Sequence, residues 1–448
     1  MPLTASLEGA MSTRGMESVP WCFLFRQRTR LKDNWDAGRF THFQLPHPDY
    51  AAEGHTGAVY AIQQRGRQLV SGGYDGTVRR WNLDSQRLIG KALRGHHGRV
   101  YTLHFDDRRD IIVSGSSSAE VFVWRFSSGE LLQAIPRAHD SAVVSLHFSG
   151  EVLATGSMDN HVKVWKQDWS VPVVRPSPGS SPYGMLVQAC TLKGHFGGVT
   201  AVCVDEDKVV SSSGDLCVRV WSVATGECLR TFTNPEYVAS VHVDGQKLSK
   251  GTPHPIQIID HVSGETVATL GKTDQTLRTA HAKLESGRCV ALVSGSLEEQ
   301  VTIWKEGEDK AWSPLRHLVL HNNIEAPGGI SPHRKDPDGV CSNRTQHRQK
   351  QQHQRSLRHQ HRRHELETTD KDKPNVVPGP ATHASEAASG RWTGTTPLNG
   401  VGTCKPRIYH VQVDERRIIC CSTRFGIVGW DFGHGDRDIE VASAFFAN

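Results

Sequence analysis

The segment GHTGAVYAIQQRGRQLVSGGYDGTVRRWN, residues 54–82, decides the fold. It contains two short runs in which apolar and polar residues alternate, then a turn, and then a third alternating run that ends at Trp81. Alternation with a period of two residues predicts strands with one buried face. Turn residues between such runs predict hairpins. The segment is therefore predicted to form a small antiparallel sheet.

The same pattern recurs along the chain. Three further clear copies begin at Gly95, Ala138 and Gly194 and end at Trp124, Trp165 and Trp221. Three weaker copies end at Ile259, Trp304 and Trp430, with isoleucine in the tryptophan place in the first of them. Repetition at intervals of about 42 residues indicates stacked units that bury one another's apolar faces. Seven such units account for residues 40–304 and 407–432.

Four side chains keep a fixed spacing within these repeats. The sets are His55, Ser71, Asp75 and Trp81; His139, Thr155, Asp159 and Trp165; and His195, Ser211, Asp215 and Trp221. The second repeat keeps His96, Ser114 and Trp124 but has Ser118 where an aspartate is expected. A catalytic Ser–His–Asp triad occurs once per site, whereas a stacked architecture requires repetition. We therefore interpret the sets as structural hydrogen-bond relays, disfavour hydrolase activity and expect no enzyme, catalytic residue or cofactor.

Composition limits the class of protein. The chain has 448 residues and ten cysteines without a CxxC pair, which favours reduced thiols in a cytoplasmic or nuclear protein. No long apolar run predicts a membrane span, and residues 1–20 lack the apolar segment of a secretory signal. The net charge of +5 comes from residues 331–373, so we do not expect a nucleic-acid-binding surface on the fold.

Two segments interrupt the repeats. Residues 166–190 contain a loop rich in proline, serine and glycine. Residues 325–405 are rich in histidine, arginine and glutamine, a composition that predicts disorder. Three more specific interpretations of the second segment stay open: a metal site at His353, His359, His361 and His364, a nuclear-import or nucleic-acid-binding tract, and an artefact of gene modelling. Because no fold would hold these histidines together, we expect no metal.

The last repeat lacks a fourth strand. After Trp430 the chain continues into a polar turn and a short helical pattern. RFTHFQL, residues 39–45, alternates like a strand and lies just before the first repeat. An unpaired sheet edge invites pairing with another chain, and ring closure removes it. We therefore expect residues 39–45 to supply the outer strand of the last sheet, with a solvent-exposed arm as the alternative.

The repeats resemble those of the WD-repeat β-propeller family. The resemblance implies an all-β fold, a seven-bladed WD-repeat β-propeller. With the composition and spacing of the rest of the chain, we expect a short N-terminal helix and a disordered insertion before the last blade. The expected organisation is a disordered N-terminus (1–20), a linker helix (21–38), the closing strand and blades one to six (39–305), the outer strand of blade six with the insertion (306–405), blade seven (406–432) and a C-terminal tail (433–448).

Residues 21–48, WCFLFRQRTRLKDNWDAGRFTHFQLPHP, permit a narrower comparison. Apolar and basic residues fall at helical spacing on one predicted face: Trp21, Leu24, Phe25, Arg28, Leu31 and Trp35. The segment resembles the one that joins the F-box to the propeller in fungal F-box/WD-repeat proteins, through Trp21, Phe25–Arg30, Asn34–Trp35 and Gly38–Phe40. The C-terminal GIVGWDF and DIEVASAFF also resemble that group. The resemblance implies an upstream F-box, which residues 1–20 do not match, so either the coding sequence begins further upstream or the protein works without the ligase core.

A binding surface is expected where the inner strand of each blade begins. The residues assigned to partner binding are Tyr60, Tyr74, Arg99, Tyr101, Tyr237, Arg278, Arg407 and Tyr409; Met158 and Leu297 lie at neighbouring turns. Arginine binds carboxylate or phosphate and tyrosine adds contact area, which favours phosphorylated or acidic peptides of protein targets. The alternative is a generic polar rim.

Two functions are compatible with these features. The first is a substrate-recognition subunit of an SCF-type ubiquitin ligase, which would contact the ligase adaptor if an F-box exists upstream. The second is a WD-repeat scaffold in another complex with no ubiquitin role. We expect no membrane partner and do not expect nucleic acid as a partner.

Overall fold

Each repeat folds into a four-stranded antiparallel sheet in the computed structural model. The structure describes residues 21–172, 184–205, 207–244, 247–252, 256–270, 276–285, 288–296, 300–306, 312–319, 407–423 and 426–446, all within one compact unit. The expectations for residues 1–20 and 325–405, including disorder and metal binding at the four histidines, lie outside the described residues.

The strands follow the repeats, from the innermost to the outermost in each blade. Blade one contains β2 (Val59–Arg65), β3 (Gln68–Gly73), β4 (Val78–Asn82) and β5 (Arg87–Leu88). Blade two contains β6 (Val100–Asp106), β7 (Ile111–Ser116), β8 (Val121–Arg125) and β9 (Leu131–Ile135). Blade three contains β10 (Val143–Ser149), β11 (Val152–Ser157), β12 (Val162–Pro172) and β13 (Gly184–Leu192). Blade four contains β14 (Val199–Asp205), β15 (Lys208–Ser213), β16 (Cys217–Ser222) and β17 (Cys228–Thr233).

The remaining blades continue the order. Blade five contains β18 (Ser240–Asp244), β19 (Lys247–Gly251), β20 (Ile256–Asp260) and β21 (Thr266–Leu270). Blade six contains β22 (Thr276–Glu285), β23 (Arg288–Ser296), β24 (Gln300–Glu306) and β25 (Trp312–Val319). Blade seven contains β26 (Ile408–Val413), β27 (Arg417–Ser422), β28 (Gly426–Asp431) and, on its outer edge, β1 (Thr41–Leu45). A helix, α1 (Trp21–Ala37), precedes the ring, and α2 (Arg437–Phe446) follows it.

The inner strands contact one another in a closed order. β2 packs on β6, β6 on β10, β10 on β14, β14 on β18, β18 on β22, β22 on β26, and β26 returns to β2. A buried apolar cluster fills each interface between neighbouring blades; the one between blades seven and one contains Leu69, Trp81, Ile419 and Ile427. The predicted seven-bladed β-propeller is therefore confirmed.

The ring closes through strands from opposite ends of the chain. β1 pairs antiparallel with β28, from Thr41 opposite Asp431 to Leu45 opposite Ile427. Phe43 and Leu45 are buried in the same cluster as Trp81 of blade one. The strand thus lies where the alternation of residues 39–45 led us to expect it, and it covers the edge that β28 would otherwise expose.

Helix α1 buries Leu24, Leu31 and Trp35 of the expected face, but the buried face is shifted around the helix. Its buried residues are Leu24, Gln27, Leu31, Asn34 and Trp35. The grouping of Trp21 and Phe25 with this face was wrong, because their side chains are 63% and 74% exposed. Gln27 and Asn34 lie on the buried face instead of Trp21 and Phe25. The Asn34 amide donates to the Phe432 carbonyl at 2.8 Å, and Gln27 accepts a hydrogen bond from Arg30 at 2.6 Å.

Helix α1 contacts both the end of blade seven and the start of α2. The Trp35 ring stacks on Phe432 at 3.8 Å between centroids, and its indole N–H donates to the Glu415 carbonyl at 2.9 Å. Arg30 pairs with Asp436, which caps α2 by accepting from the backbone N–H of Asp438. These contacts hold the two helices at the place where the ring closes.

The first interruption is shorter than expected. β12 extends to Pro172 and β13 starts at Gly184, so much of residues 166–190 lengthens the outer hairpin of blade three. The predicted loop, VPVVRPSPGSSPYG at residues 171–184, was therefore wrong at its ends, and its remaining residues 173–183 lie outside the described part of the chain. The alternating apolar residues that continue past Trp165 explain the extension.

Candidate functional site

The repeated polar sets form hydrogen-bond relays inside blades one, three and four. In blade one, His55 bonds Asp75 through Nδ1 at 2.9 Å and Ser71 through Nε2 at 2.8 Å. The Trp81 indole N–H donates to the Ser71 hydroxyl at 2.8 Å. The same contacts recur in the order Asp159–His139–Thr155–Trp165 in blade three and Asp215–His195–Ser211–Trp221 in blade four.

Protonation in these relays follows from burial and hydrogen bonding. Burial lowers the pKa of His55, although Asp75 acts in the opposite direction. Burial also acts to raise the pKa of Asp75, but hydrogen bonds from His55 and Thr77 lower it well below its usual range. A neutral imidazole beside a carboxylate is the state that these shifts favour. Because Ser71 also holds the buried Trp81 ring, the relay ties the turns of the blade to its core.

Blade two completes its relay with a residue that sequence reasoning missed. His96 bonds Ser114 at 2.7 Å and Glu120 at 3.2 Å, so Glu120 takes the aspartate's part. Glu120 also bonds the exposed His97 at 2.6 Å. Glu120 stands just before strand β8, two positions beyond Ser118, and its longer side chain reaches back to the histidine. The available signal was the acidic Glu120 directly before the apolar strand β8.

Blades five to seven depart from the relay. In blade five, Lys250 stands in the serine place and donates to Asn234 at 2.8 Å, with both side chains buried. In blade six, the Trp304 indole keeps its bond to Ser294 at 2.9 Å. In blade seven, Cys420 replaces the serine, and the buried Trp430 indole N–H has no partner among the described residues.

Three tyrosines meet where the inner strands of blades seven, one and two begin. Each is the second residue of its strand: Tyr409 in β26, Tyr60 in β2 and Tyr101 in β6. The Tyr60 ring lies edge-on to Tyr409 at 4.9 Å and to Tyr101 at 5.1 Å between centroids. Burial and the neighbouring Tyr409 raise the pKa of Tyr60 to about 12, so its hydroxyl stays protonated at neutral pH.

A cation completes this cluster. The Arg99 guanidinium lies over the Tyr74 ring at 4.4 Å from its centroid. Burial acts to lower the pKa of Arg99, but the hydroxyl of Tyr101 raises it, so the charge is retained. The Tyr74 side chain is 44% exposed. We call Tyr60, Tyr74, Arg99, Tyr101 and Tyr409 the tyrosine–arginine cluster; it offers one positive charge, hydroxyl groups and aromatic area on one side of the ring.

The other expected rim residues lie elsewhere or outside the described part. Tyr237 lies on blade five and is 36% exposed. Arg407 is exposed beside β26, with its backbone N–H donating to Thr423 Oγ1 at 3.1 Å. The Arg278 side chain and Leu297 lie outside the described residues. Two exposed apolar residues that the sequence did not single out, Phe196 and Leu216, lie in the loops of blade four.

Comparison with known proteins agrees with the fold. A family model described as "WD domain, G-beta repeat" matches residues 48–82, 87–125, 129–166 and 186–222. These four repeats and the seven-bladed ring support a WD-repeat protein. None of the helices in the described part of the chain is long and apolar enough to cross a membrane.

Several curated proteins are similar to part of the chain. The "WD repeat-containing protein pop2" of Schizosaccharomyces pombe is 30% identical over 40% of this chain and 22% of its own length. "Mitochondrial division protein 1" of Neurospora crassa is 27% identical over 36% and 21%, respectively. "Eukaryotic translation initiation factor 3 subunit I" of Debaryomyces hansenii is 27% identical over 27% and 34%. The chain thus spans between about a fifth and a third of these relatives.

WD-repeat propellers are generally non-catalytic scaffolds that bind protein partners. The repeated Ser, His and Asp residues agree with that description, because their side chains are buried in relays and three of the four matched blades hold the same set.

Proposed function

We propose that the chain binds a linear segment of a protein partner at the tyrosine–arginine cluster. The contact of Arg99 with Tyr74 carries this proposal, since it holds a charged guanidinium beside a half-exposed aromatic ring. Tyrosine and arginine are the residue types that dominate binding energy in protein interfaces. Arginine also pairs with carboxylate or phosphate through two parallel hydrogen bonds. A phosphorylated or acidic segment is therefore the expected ligand.

We further propose that the complex served is an SCF-type ubiquitin ligase, with this chain as the substrate-recognition subunit. Support comes from the resemblance of residues 21–48 to the linker of fungal F-box/WD-repeat proteins. The ordered helix α1 also supports it, because Asn34 and Trp35 fix the helix to blade seven and could fix the position of a module attached to its start. This role would place the protein in the cytoplasm, the nucleus or both.

The ligase role is tested at the native locus. A tag is added at the C-terminus, so that any coding sequence upstream of Met1 is retained, and purified complexes are analysed by quantitative mass spectrometry. Stoichiometric recovery of the adaptor and cullin supports the ligase proposal. A stable set of other partners without them overturns it and favours the scaffold alternative.

The binding surface is tested separately with arrays of matched phosphorylated and unphosphorylated peptides. Arg99→Ala should abolish the preference for phosphorylated members. Arg108→Ala is the matched control, because Arg108 is exposed in the turn at the opposite end of β6. Equal binding by the two variants would reject the tyrosine–arginine cluster as the site.

A further inference from the structure

The inner strands enclose a central channel with a cavity of 310 Å³. Its lining includes polar side chains from the first three blades, among them Gln63, Thr102, His104, Ser145 and His147. This volume lies at the lower end of the range that small-molecule sites occupy. Because buried polar groups are normally hydrogen-bonded, each of these side chains is expected to have a partner.

Channel side chains accept hydrogen bonds from the backbone of the next blade, and we call this set the inter-blade ladder. Thr102 Oγ1 accepts from Leu146 N at 3.0 Å, Ser145 Oγ from Val202 N at 3.0 Å, His104 Nδ1 from Phe148 N at 3.4 Å, His147 Nδ1 from Val204 N at 3.1 Å, and Gln63 Oε1 from Phe105 N. Every one of these bonds uses the acceptor of the side chain. The ladder therefore links blades one to four through their inner strands.

The ladder fixes the tautomer of two histidines. A neutral imidazole has one donor and one acceptor nitrogen. Burial lowers the pKa of His104 well below its ordinary value and that of His147 to about 4, so both rings are neutral at pH 7. Because Nδ1 accepts in each ring, Nε2 carries the proton. In Gln63 the carbonyl is used by the ladder, which leaves its NH₂ group as the donor.

The consequence is that His104, His147 and Gln63 each keep a donor that the inter-blade ladder does not use. The His104 and His147 rings lie 5.3 Å apart at an interplanar angle of 83°, so their N–H groups belong to one small region. None of the described residues that line the cavity carries a carboxylate. Burial, His147 and the positive charges of Arg65 and Arg109 all lower the pKa of His104. The two arginine charges also favour a negative charge nearby.

We propose that the channel binds a small oxyanion, a phosphate or a carboxylate, at His104, His147 and Gln63. An oxyanion supplies several acceptor lone pairs at once, which matches a set of converging N–H donors. Tyr60, Tyr101 and Tyr409 of the tyrosine–arginine cluster line the same cavity, and the three proposed donors lie farther along the inner strands. The proposal goes beyond peptide binding, because it requires no protein partner.

The test uses inorganic phosphate and the full chain, by isothermal titration at pH 7.5 in a buffer free of other oxyanions. His104→Asn and His147→Asn place an amide oxygen near Nδ1, which keeps the ladder bond, and remove the Nε2 donor. Gln63→Glu keeps the acceptor for Phe105 N and replaces the donors with a negative charge. His47→Asn is the control, since His47 lies outside the channel at the short 3₁₀ helix Pro48–Glu53.

Wild type and His47→Asn should bind phosphate at one site with equal affinity. Each histidine variant should bind about tenfold more weakly, the effect of one charge-assisted hydrogen bond, and Gln63→Glu should show no binding. Circular dichroism and thermal melting verify that the variants fold. Absence of binding to folded wild type at millimolar phosphate, or equal affinity of all folded variants, overturns the proposal.

Two additional arms identify the source of the anion. Acetate is titrated in place of phosphate to separate carboxylate from phosphate, and a phosphoserine peptide is titrated into wild type and Arg99→Ala. If inorganic phosphate binds Arg99→Ala as it binds wild type, the ligand is a free anion. If the peptide alone binds and both Arg99→Ala and His147→Asn weaken it, the proposal of a free-anion site is overturned and the channel residues serve peptide binding instead. Failure of peptide binding with phosphate binding intact rejects only the proposed peptide site.

Discussion

His147 Nδ1 accepts a hydrogen bond from the backbone N–H of Val204 at 3.1 Å, and this bond joins blade three to blade four. His104 makes the corresponding bond one blade earlier, to Phe148 N. Each bond requires an unprotonated Nδ1. The attachment of neighbouring blades therefore depends on the charge state of the channel histidines.

Acid should lower the unfolding free energy of the propeller, because protonation of His147 is less favourable in the folded chain. Burial lowers its pKa from 6.5 to about 4 in the folded chain, so the unfolded chain takes up its proton first as the pH falls. The stabilisation is complete above pH 6.5 and is lost as the pH approaches 4. The contribution is about 3 kcal/mol. Urea unfolding at a series of pH values measures it.

The control for this prediction is His147→Asn, which keeps an acceptor but cannot titrate. The fall in unfolding free energy between neutral and acidic pH should be smaller in this variant than in wild type. His47→Asn should retain the full fall of wild type. An identical pH dependence in wild type and His147→Asn would show that the histidine does not contribute.

Glu120 should be needed for the stability of blade two. Glu120→Ala leaves His96 without its acceptor while His96 remains buried and bonded to Ser114. The loss of a buried charged hydrogen-bond partner should cost about 2 kcal/mol of unfolding free energy. Glu130→Ala, at an exposed position before β9, should cost a few tenths. Chemical denaturation measures the unfolding free energy of both variants. Equal stability of Glu120→Ala and Glu130→Ala would contradict the role given to Glu120.

Cys420→Ser should stabilise the last blade. Cys420 precedes Trp430 by ten residues, the separation at which Ser71, Ser114, Thr155, Ser211 and Ser294 accept from their tryptophans. A hydroxyl at this position would accept from the Trp430 indole N–H, which lacks a partner among the described residues. We expect a gain of about 1 kcal/mol in unfolding free energy.

The same substitution at the next residue controls for polarity. Cys421 is equally buried but points to the other face of β27, in the cluster between blades seven and one. Cys421→Ser should therefore destabilise the protein. A loss at Cys420→Ser as large as that at Cys421→Ser would contradict the assignment of Cys420 to the relay position.

The strand pattern and the repeat spacing were sufficient for the architecture. Period-two alternation identified the blades even where Ile259 replaces tryptophan, because burial of one face, and not the tryptophan itself, determines the strand. The outer strand from residues 39–45 followed from the need to cover an open edge. These features depend on local sequence or on general packing rules.

The features that the sequence did not predict depend on side-chain reach and on distant packing. Glu120 acts from outside the expected turn position because its side chain is one methylene longer than that of aspartate. The buried face of α1 includes Asn34 only because the Phe432 carbonyl lies opposite, 398 residues away in the chain. The inter-blade ladder joins atoms of residues such as His104 and Phe148, whose alignment is fixed by the closed ring. The sequence periodicity of a strand or helix carries no information about these long-range contacts.

The most direct test of the account is the affinity of a native partner for the tyrosine–arginine cluster. A partner recovered with the C-terminally tagged chain is purified, and its Kd is measured for wild type, Arg99→Ala and Arg108→Ala. We predict at least about tenfold weaker binding by Arg99→Ala, as expected of an interface hot spot, and no change with Arg108→Ala. Equal Kd values for all three proteins would contradict the assignment of this cluster as the partner-binding surface.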